Sequence, residues 1–205
     1  MPSRPLLIGL TGSLGMGKTE TAKMFASLGV PVYDADAAVH ALYDRGGAAV
    51  EAVAAAFPDC VKDGRVDRAA LGLRVLSDEA ALTRLEAIVH PLANRQQARF
   101  VTDAAAVGAE LAVFDVPLLY ETGGDARMDA VVVVTAPPEI QRARALARPG
   151  MTREKLEQIL KRQMPDAQKR ARADYVVETG AGFEHAMTQV RTIVDELLAK
   201  RKTDA

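Results

Sequence analysis

Gly12-Ser13-Leu14-Gly15-Met16-Gly17-Lys18-Thr19 has the spacing G-x-x-x-x-G-K-[ST], and the chemistry of that pattern is phosphate binding. Glycines at 12, 15 and 17 let the backbone curl with its N–H groups facing inward. The concavity binds an anion at a helix N-terminus, where the helix dipole adds favourable potential. Lys18 can reach the β- and γ-phosphates of a nucleoside triphosphate, and the Thr19 hydroxyl can ligate the magnesium ion that bridges them. The loop stands where it must, between the apolar run Leu6-Leu7-Ile8-Gly9-Leu10 and a helical pattern through Leu28 with Ala22, Phe25 and Ala26 on one face.

Carboxylates follow at the ends of apolar runs. Val30-Pro31-Val32-Tyr33 reads as a second strand ending at Asp34-Ala35-Asp36, and in an open parallel sheet that edge is where ligands bind. Of Asp34 and Asp36, one can serve as a base and the other as a helix cap. Asp115, within the strand Leu111-Ala112-Val113-Phe114-Asp115-Val116, suits the second acidic position of phosphate-loop enzymes, which reaches magnesium; a cap on the following turn is the other reading. Glu121 is either a substrate contact or a solvated side chain. Arg142, Arg144 and Arg148 precede Pro149-Gly150 and can close over transferring phosphates or form a solvated basic face.

Those side chains need a scaffold. Ala130 to Thr135, with four valines in succession, is a fourth strand buried on both faces, and Asp174-Tyr175-Val176-Val177 is a fifth strand leading into Glu178-Thr179-Gly180. From Ala35 to about Gly108 no convincing strand is seen. Helical stretches recur at Ala38 to Phe57, Arg68 to Leu76 and Asp78 to Val89, and Pro91 suits the first position of another helix. This is a helical insertion large enough to make a pocket for a second substrate. Thr152 caps a helix that Pro165 stops, and Lys169, Arg170 and Arg172 lie in a polar connection. The last helix carries an apolar stripe of Phe183, Met187, Val190, Val194 and Leu197.

Bulk properties narrow the function. With 205 residues and a formal net charge of −1, the chain suits a single α/β domain with an insertion and has no general field for nucleic acid. Its single cysteine, Cys60, forms no internal disulfide and belongs with a reducing, cytoplasmic compartment. The N-terminal apolar stretch reads as a core strand rather than a signal, and no run approaches the roughly 18 apolar residues of a membrane span.

Several segments in order resemble the dephospho-coenzyme A kinase family: Gly9-Leu10-Thr11-Gly12 entering the loop, Asp34-Ala35-Asp36, His90-Pro91-Leu92, Val116-Pro117-Leu118-Leu119-Tyr120-Glu121, and Arg153-Glu154 through Gln163. The resemblance spans nearly the whole chain. It implies an α/β phosphate-loop fold, a parallel five-stranded sheet flanked by helices. The core would span about 1–34 and 109–205, with a helical coenzyme A-binding insertion at about 35–108 and a small lid at about 138–172. The implied reaction is phosphorylation of the ribose 3′-hydroxyl of dephospho-coenzyme A by ATP and magnesium. Asp34 would accept the hydroxyl proton, Lys18 would stabilise the phosphoryl group, and Arg144 or Arg148 would act from the lid. Asp36, His90 and Glu121 would lie on the acceptor side, although a capping histidine is an equal reading of His90. Where the family's last strand runs into an asparagine-containing turn this chain has Glu178-Thr179-Gly180, which leaves the adenine contact there unassigned. The expected partners are small molecules acting on a monomer. A kinase for a nucleoside monophosphate or another hydroxylated metabolite shares the loop and an arginine. A nucleotide-dependent switch module fits less well, because no Asn-Lys-x-Asp guanine-recognition segment is present and Asp34 is placed to activate an acceptor.

Overall fold

The computed structural model describes residues 4–76 and 78–203. Nine residues at positive φ are glycines and only Asp63 is not, among the described residues, so tight backbone geometry is concentrated at loops and turns. Two compact units are formed: residues 4–33 with 103–203, and residues 34–102.

The first unit is built on a parallel five-stranded sheet of order β2-β5-β1-β6-β7, comprising β1 (Leu6–Thr11), β2 (Val32–Asp34), β5 (Leu111–Asp115), β6 (Ala130–Thr135) and β7 (Tyr175–Glu178). Period-2 alternation decides which way each valine of β6 faces. Val132 and Val134 join Ile8, Leu10, Phe25, Val113 and Val177 in one core, covered by α1 (Lys18–Ser27) and α9 (Phe183–Thr203). Val131 and Val133 point the other way, into a cluster with Leu119, Tyr120, Met128 and Met164. Both faces are therefore buried, as the run of valines requires. Gly9 in mid-strand is explained by a close approach: a Cβ there would lie 2.5 Å from Leu119 Cδ2. Because β1 is central and the chain leaves it first toward β2 and later crosses to β6, the loop after β1 lies where the strand order reverses, the usual ligand position in such sheets.

The remaining elements on this unit are α6 (Pro138–Leu146), α7 (Arg153–Arg162) and α8 (Asp166–Arg172). Thr152 caps α7 by accepting the Lys155 N–H at 3.2 Å. The expected polar connection after Pro165 is instead α8, with Pro165 at its N-cap. Lys169, placed by the sequence in a polar connection, is fully buried.

The second unit holds α2 (Ala35–Tyr43), α3 (Val50–Ala56), α4 (Arg68–Leu76) and most of α5 (Glu79–Ala106) around Leu42, Val53, Phe57, Leu71 and Val75. Three features depart from the sequence reading. The stretch from Ala38 to Phe57 is broken into two helices at Gly46-Gly47, where Gly46 has φ 77 and a Cβ on Gly47 would lie 2.3 Å from the Leu42 carbonyl. A two-stranded hairpin, β3 (Val61–Lys62) and β4 (Arg65–Val66), sits inside the expected all-helical excursion. Its turn is Asp63-Gly64, both at positive φ (52 and 72), the Asp-Gly signal for a two-residue hairpin. Pro91 does not begin a helix. It lies inside the 28-residue α5, which runs straight through the expected boundary although proline removes a donor from the helical ladder.

That placement yields a stability test. Replacing Pro91 by alanine restores an N–H to the interior of α5 and is expected to stabilise the protein by about 1–3 kcal/mol in urea unfolding; a destabilised variant would show that the helix depends on the proline.

Candidate active site

The loop from Gly12 to Thr19 owes its shape to three glycines acting for three different reasons. A Cβ on Gly12 would lie 2.6 Å from the Val134 carbonyl, and one on Gly15 would lie 2.5 Å from the Gln141 carbonyl. Gly15 and Gly17 also stand at φ 84 and 98, conformations costly for residues with a Cβ. Gly17 is the N-cap of α1, and α1 has no side-chain cap, so its first N–H groups are open to an anion.

Side chains from distant parts of the chain grip the loop from outside. Leu14 donates its N–H to Gln163 Oε1 (3.1 Å), and its carbonyl accepts from Gln141 Nε2 (2.9 Å). Met16 donates its N–H to the Ser13 carbonyl (3.2 Å), while its sulfur accepts from the Ala136 N–H at 3.1 Å. Thr179, at the end of β7, donates its hydroxyl to the Met16 carbonyl at 2.7 Å, with the Thr135 carbonyl at 3.2 Å. Arg144 closes this arrangement by donating to Thr179 Oγ1 (2.8 Å) and to the Thr179 carbonyl (2.9 Å).

Below the loop, Lys18 Nζ is paired with the carboxylate of Asp115. Both are largely withdrawn from water, with side-chain exposures of 16% and 8%. Thr19 is exposed on the first turn of α1. These are the basic, hydroxyl and carboxylate groups that sequence reasoning assigned to phosphate and metal, and the structure brings Lys18 and Asp115 into contact.

Glu121 is neither solvated nor turned outward. Its Oε1 accepts from the Met164 N–H at 2.7 Å and from Lys169 Nζ at 2.9 Å, while Oε2 is buried with no hydrogen-bond partner among the described residues. Burial pushes the Glu121 carboxyl up, but the hydrogen bonds from Met164 and Lys169 outweigh it and bring the group below its ordinary range. Lys169 also donates to the Pro117 carbonyl at 3.3 Å, which accepts from the Thr11 hydroxyl at 3.1 Å. The segment after β5 is thereby tied both to α8 and to the strand that enters the loop.

The other candidates belong to other elements. Arg148 is exposed beyond the end of α6, and Arg142 pairs with Glu157 at 2.5 Å. In the second unit Asp34, last residue of β2, is the N-cap of α2, its Oδ1 accepting the Ala37 N–H at 2.9 Å. The cap thus falls to the same aspartate that the resemblance makes the base. Asp36 is exposed in the first turn of α2. His90 is exposed in the middle of α5, so the capping reading of this histidine does not hold.

A cleft of about 240 Å³ opens beside Gly17, lined by Met24, Thr21, Arg144, Thr179, Phe183 and Ala186 among others. Phe183 belongs to this cleft and not to the apolar stripe of α9: it is 59% exposed, while Ala186, Met187, Val190, Ile193, Val194 and Leu197 are buried. Sequence reasoning put Thr179 in the loop after the last strand without assigning it a contact, and missed Gln141, Met24 and Phe183 as site residues. Only an aromatic at the start of a helix just after a strand-end loop could have pointed to Phe183.

A parallel sheet of this order, a glycine loop leading into an uncapped helix, and a buried Lys-Asp pair beneath it define a phosphate-loop kinase. The family model for dephospho-CoA kinase matches residues 6–184. The chain is 59% identical to a dephospho-CoA kinase of Rhodopseudomonas palustris (strain BisB18) over 92% of this chain and 94% of that protein. It is 57% identical to one from Mesorhizobium japonicum, over 96% and 98%. Among solved structures, TT1252 from Thermus thermophilus superposes with a TM-score of 0.83 at 35% identity, covering 95% of this chain and 99% of that one. A dephospho-CoA kinase from Campylobacter jejuni shares the fold at TM-score 0.65 and 19% identity, covering 95% and 98%. The chain belongs to the dephospho-CoA kinase family, which carries out ATP-dependent phosphorylation of dephospho-coenzyme A in coenzyme A biosynthesis.

The Glu121 and Lys169 pair can be tested by pH. Because the native carboxyl titrates below its ordinary range, its stabilising contribution is complete above that range and is lost as pH falls through the native value. Glu121→Gln, which leaves Lys169 buried without a counter-charge, is expected to cost about 3–5 kcal/mol at neutral pH. The gap to the parent protein should narrow on acidification below the usual glutamate range. A gap independent of pH in denaturation curves would contradict the pairing.

Proposed function

We propose that this chain transfers the γ-phosphoryl group of ATP to the ribose 3′-hydroxyl of dephospho-coenzyme A, the last step of coenzyme A synthesis, with Gly12 to Thr19 as the donor site. The observation that carries the reading is the glycine loop itself, with Gly15 and Gly17 in the left-handed region, leading into the uncapped N-terminus of α1 and the Lys18 that pairs with Asp115. Lys18 exchanges its partner Asp115 for the triphosphate and stabilises the charge that spreads over the transferring group.

Thr19 and Asp115 supply a hydroxyl and a carboxylate, hard oxygen donors that suit magnesium. The fit is supported by Asp115 itself, a buried carboxylate that already faces a cation, the loop residue Lys18. Magnesium held by Thr19 and Asp115 would supply positive charge to offset the negative charge developing on the transferring phosphoryl group. Arg144, tied to Thr179 beside the cleft, serves the donor nucleotide, and the apolar lining from Met24 and Phe183 suits its base. Arg148, exposed beyond α6, is the arginine that reaches the phosphoryl group when the lid of about 138–172 closes.

Residues 34–102 carry the acceptor, with Asp36 and His90 contributing to its binding. Asp34 accepts the 3′-hydroxyl proton through the carboxylate oxygen not used to cap α2. We place the enzyme in the cytoplasm as a monomer: Cys60 is free and buried, which suits a reducing compartment, and among the described residues no helix is long and apolar enough to cross a membrane.

Asp34→Asn keeps a capping oxygen for Ala37 and removes the base. It is expected to lower kcat by about 10²- to 10⁴-fold with ATP affinity retained, measured as ADP formation dependent on dephospho-coenzyme A. Near-parent turnover would remove Asp34 from the role of base. In the same assay a preference for AMP over dephospho-coenzyme A as acceptor would overturn the substrate assignment.

A further inference from the structure

A trans peptide carries its carbonyl and its N–H on opposite sides, so whatever holds a loop carbonyl outward also decides where the next residue's N–H points. No cis peptide bond occurs among the described residues. Gln141 Nε2 holds the Leu14 carbonyl at 2.9 Å, and the N–H trans to it belongs to Gly15. Thr179 Oγ1 holds the Met16 carbonyl at 2.7 Å, and the N–H trans to that belongs to Gly17. Gly15 and Gly17 are the two loop residues in the left-handed region, at φ 84 and 98, and the intervening Met16 is fixed by its own N–H to Ser13 and by its sulfur.

Both holding groups are buried. Gln141 is buried on α6, and its carbonyl meets the α-carbon side of Gly15 so closely that no Cβ would fit. Thr179 is buried too, and has only one hydroxyl proton to give. With Arg144 Nη1 donating into the same oxygen at 2.8 Å, that proton must go to a carbonyl, and the Met16 oxygen is the nearer at 2.7 Å. The arginine therefore sets the hydroxyl's direction, and the hydroxyl sets the direction of the Gly17 amide.

We propose that Gln141 and Thr179 are positioning residues for phosphoryl transfer, each anchoring one outward carbonyl so that the amides of Gly15 and Gly17 are already aimed at the phosphates. The inference rests on the loop being the donor site. It assigns to Thr179 a task that no contact with the nucleobase requires, and to Gln141 a task for which nothing in its own sequence neighbourhood prepares.

The test separates aiming from mere packing by comparing a ligand with phosphates and one without. Thr179→Val keeps the shape and removes the hydroxyl, Thr179→Ser restores it, and Gln141→Met removes the donor on the other carbonyl. Calorimetry with MgADP and a competition assay with adenosine give the two affinities on the full chain. The expected result is that Thr179→Val and Gln141→Met each weaken MgADP about tenfold or more while adenosine affinity stays within about twofold, and that Thr179→Ser recovers most of the MgADP affinity. Equal losses for MgADP and adenosine, or parent-like MgADP affinity in Thr179→Val, would overturn the proposal. If Gln141→Met fails to fold, the valine and serine pair at 179 still decides it. Failure of the donor-site reading would show separately, as a Lys18→Met variant that binds MgADP as well as the parent.

Discussion

The donor site depends on one constraint: a run of peptide groups around Gly15 and Gly17 must hold a conformation that a free chain would seldom adopt. Left-handed φ values at two positions suit few residues other than glycine, and the groups that fix the backbone there come from elsewhere in the chain. Gln141, Gln163, Thr179 and the Ala136 N–H all bond to the loop from outside. The loop is a surface feature in sequence and an over-determined one in space, which is how a strained functional backbone persists.

The same constraint accounts for the architecture around it. Ala136 follows β6, the neighbour of β1, and Thr179 follows β7, the next strand out, so the sheet order itself delivers groups that grip the loop. Gln141 and Arg144 lie three residues apart on α6, one turn of one face; one holds the Leu14 carbonyl and the other braces Thr179. The Lys18 and Asp115 pair belongs to this design as well. A buried carboxylate at the end of β5 requires a cation, and the loop lysine meets that need until phosphates compete for it.

Much of this was legible in sequence and some was not, for reasons that can be named. The loop, its flanking strand and helix, and the four valines of β6 announce themselves because periodicity and glycine spacing are local properties. Lys169 read as part of a polar connection because a single lysine carries no sign of its distant partner, and burial became visible only with Glu121, 48 residues away, at 2.9 Å. Pro91 misled as a helix start because the rule weighs only local chemistry, whereas α5 continues through it under tertiary packing. The Asp63-Gly64 hairpin was signalled and was hidden by the helical composition around it. Gln141 and Thr179 could not have been found by spacing at all: they stand 127 and 163 residues from the loop atoms they hold.

The central claim is that the loop is preformed and that nucleotide binding exchanges partners without reshaping backbone. Crystal structures of the unliganded protein and of its complex with MgADP and dephospho-coenzyme A test it directly. The expected result is a Gly12 to Thr19 backbone that superposes within about 1 Å, with Lys18 Nζ moved from the Asp115 carboxylate to the β-phosphate. A loop that refolds on binding, or a lysine that stays on Asp115 in the complex, would contradict the account.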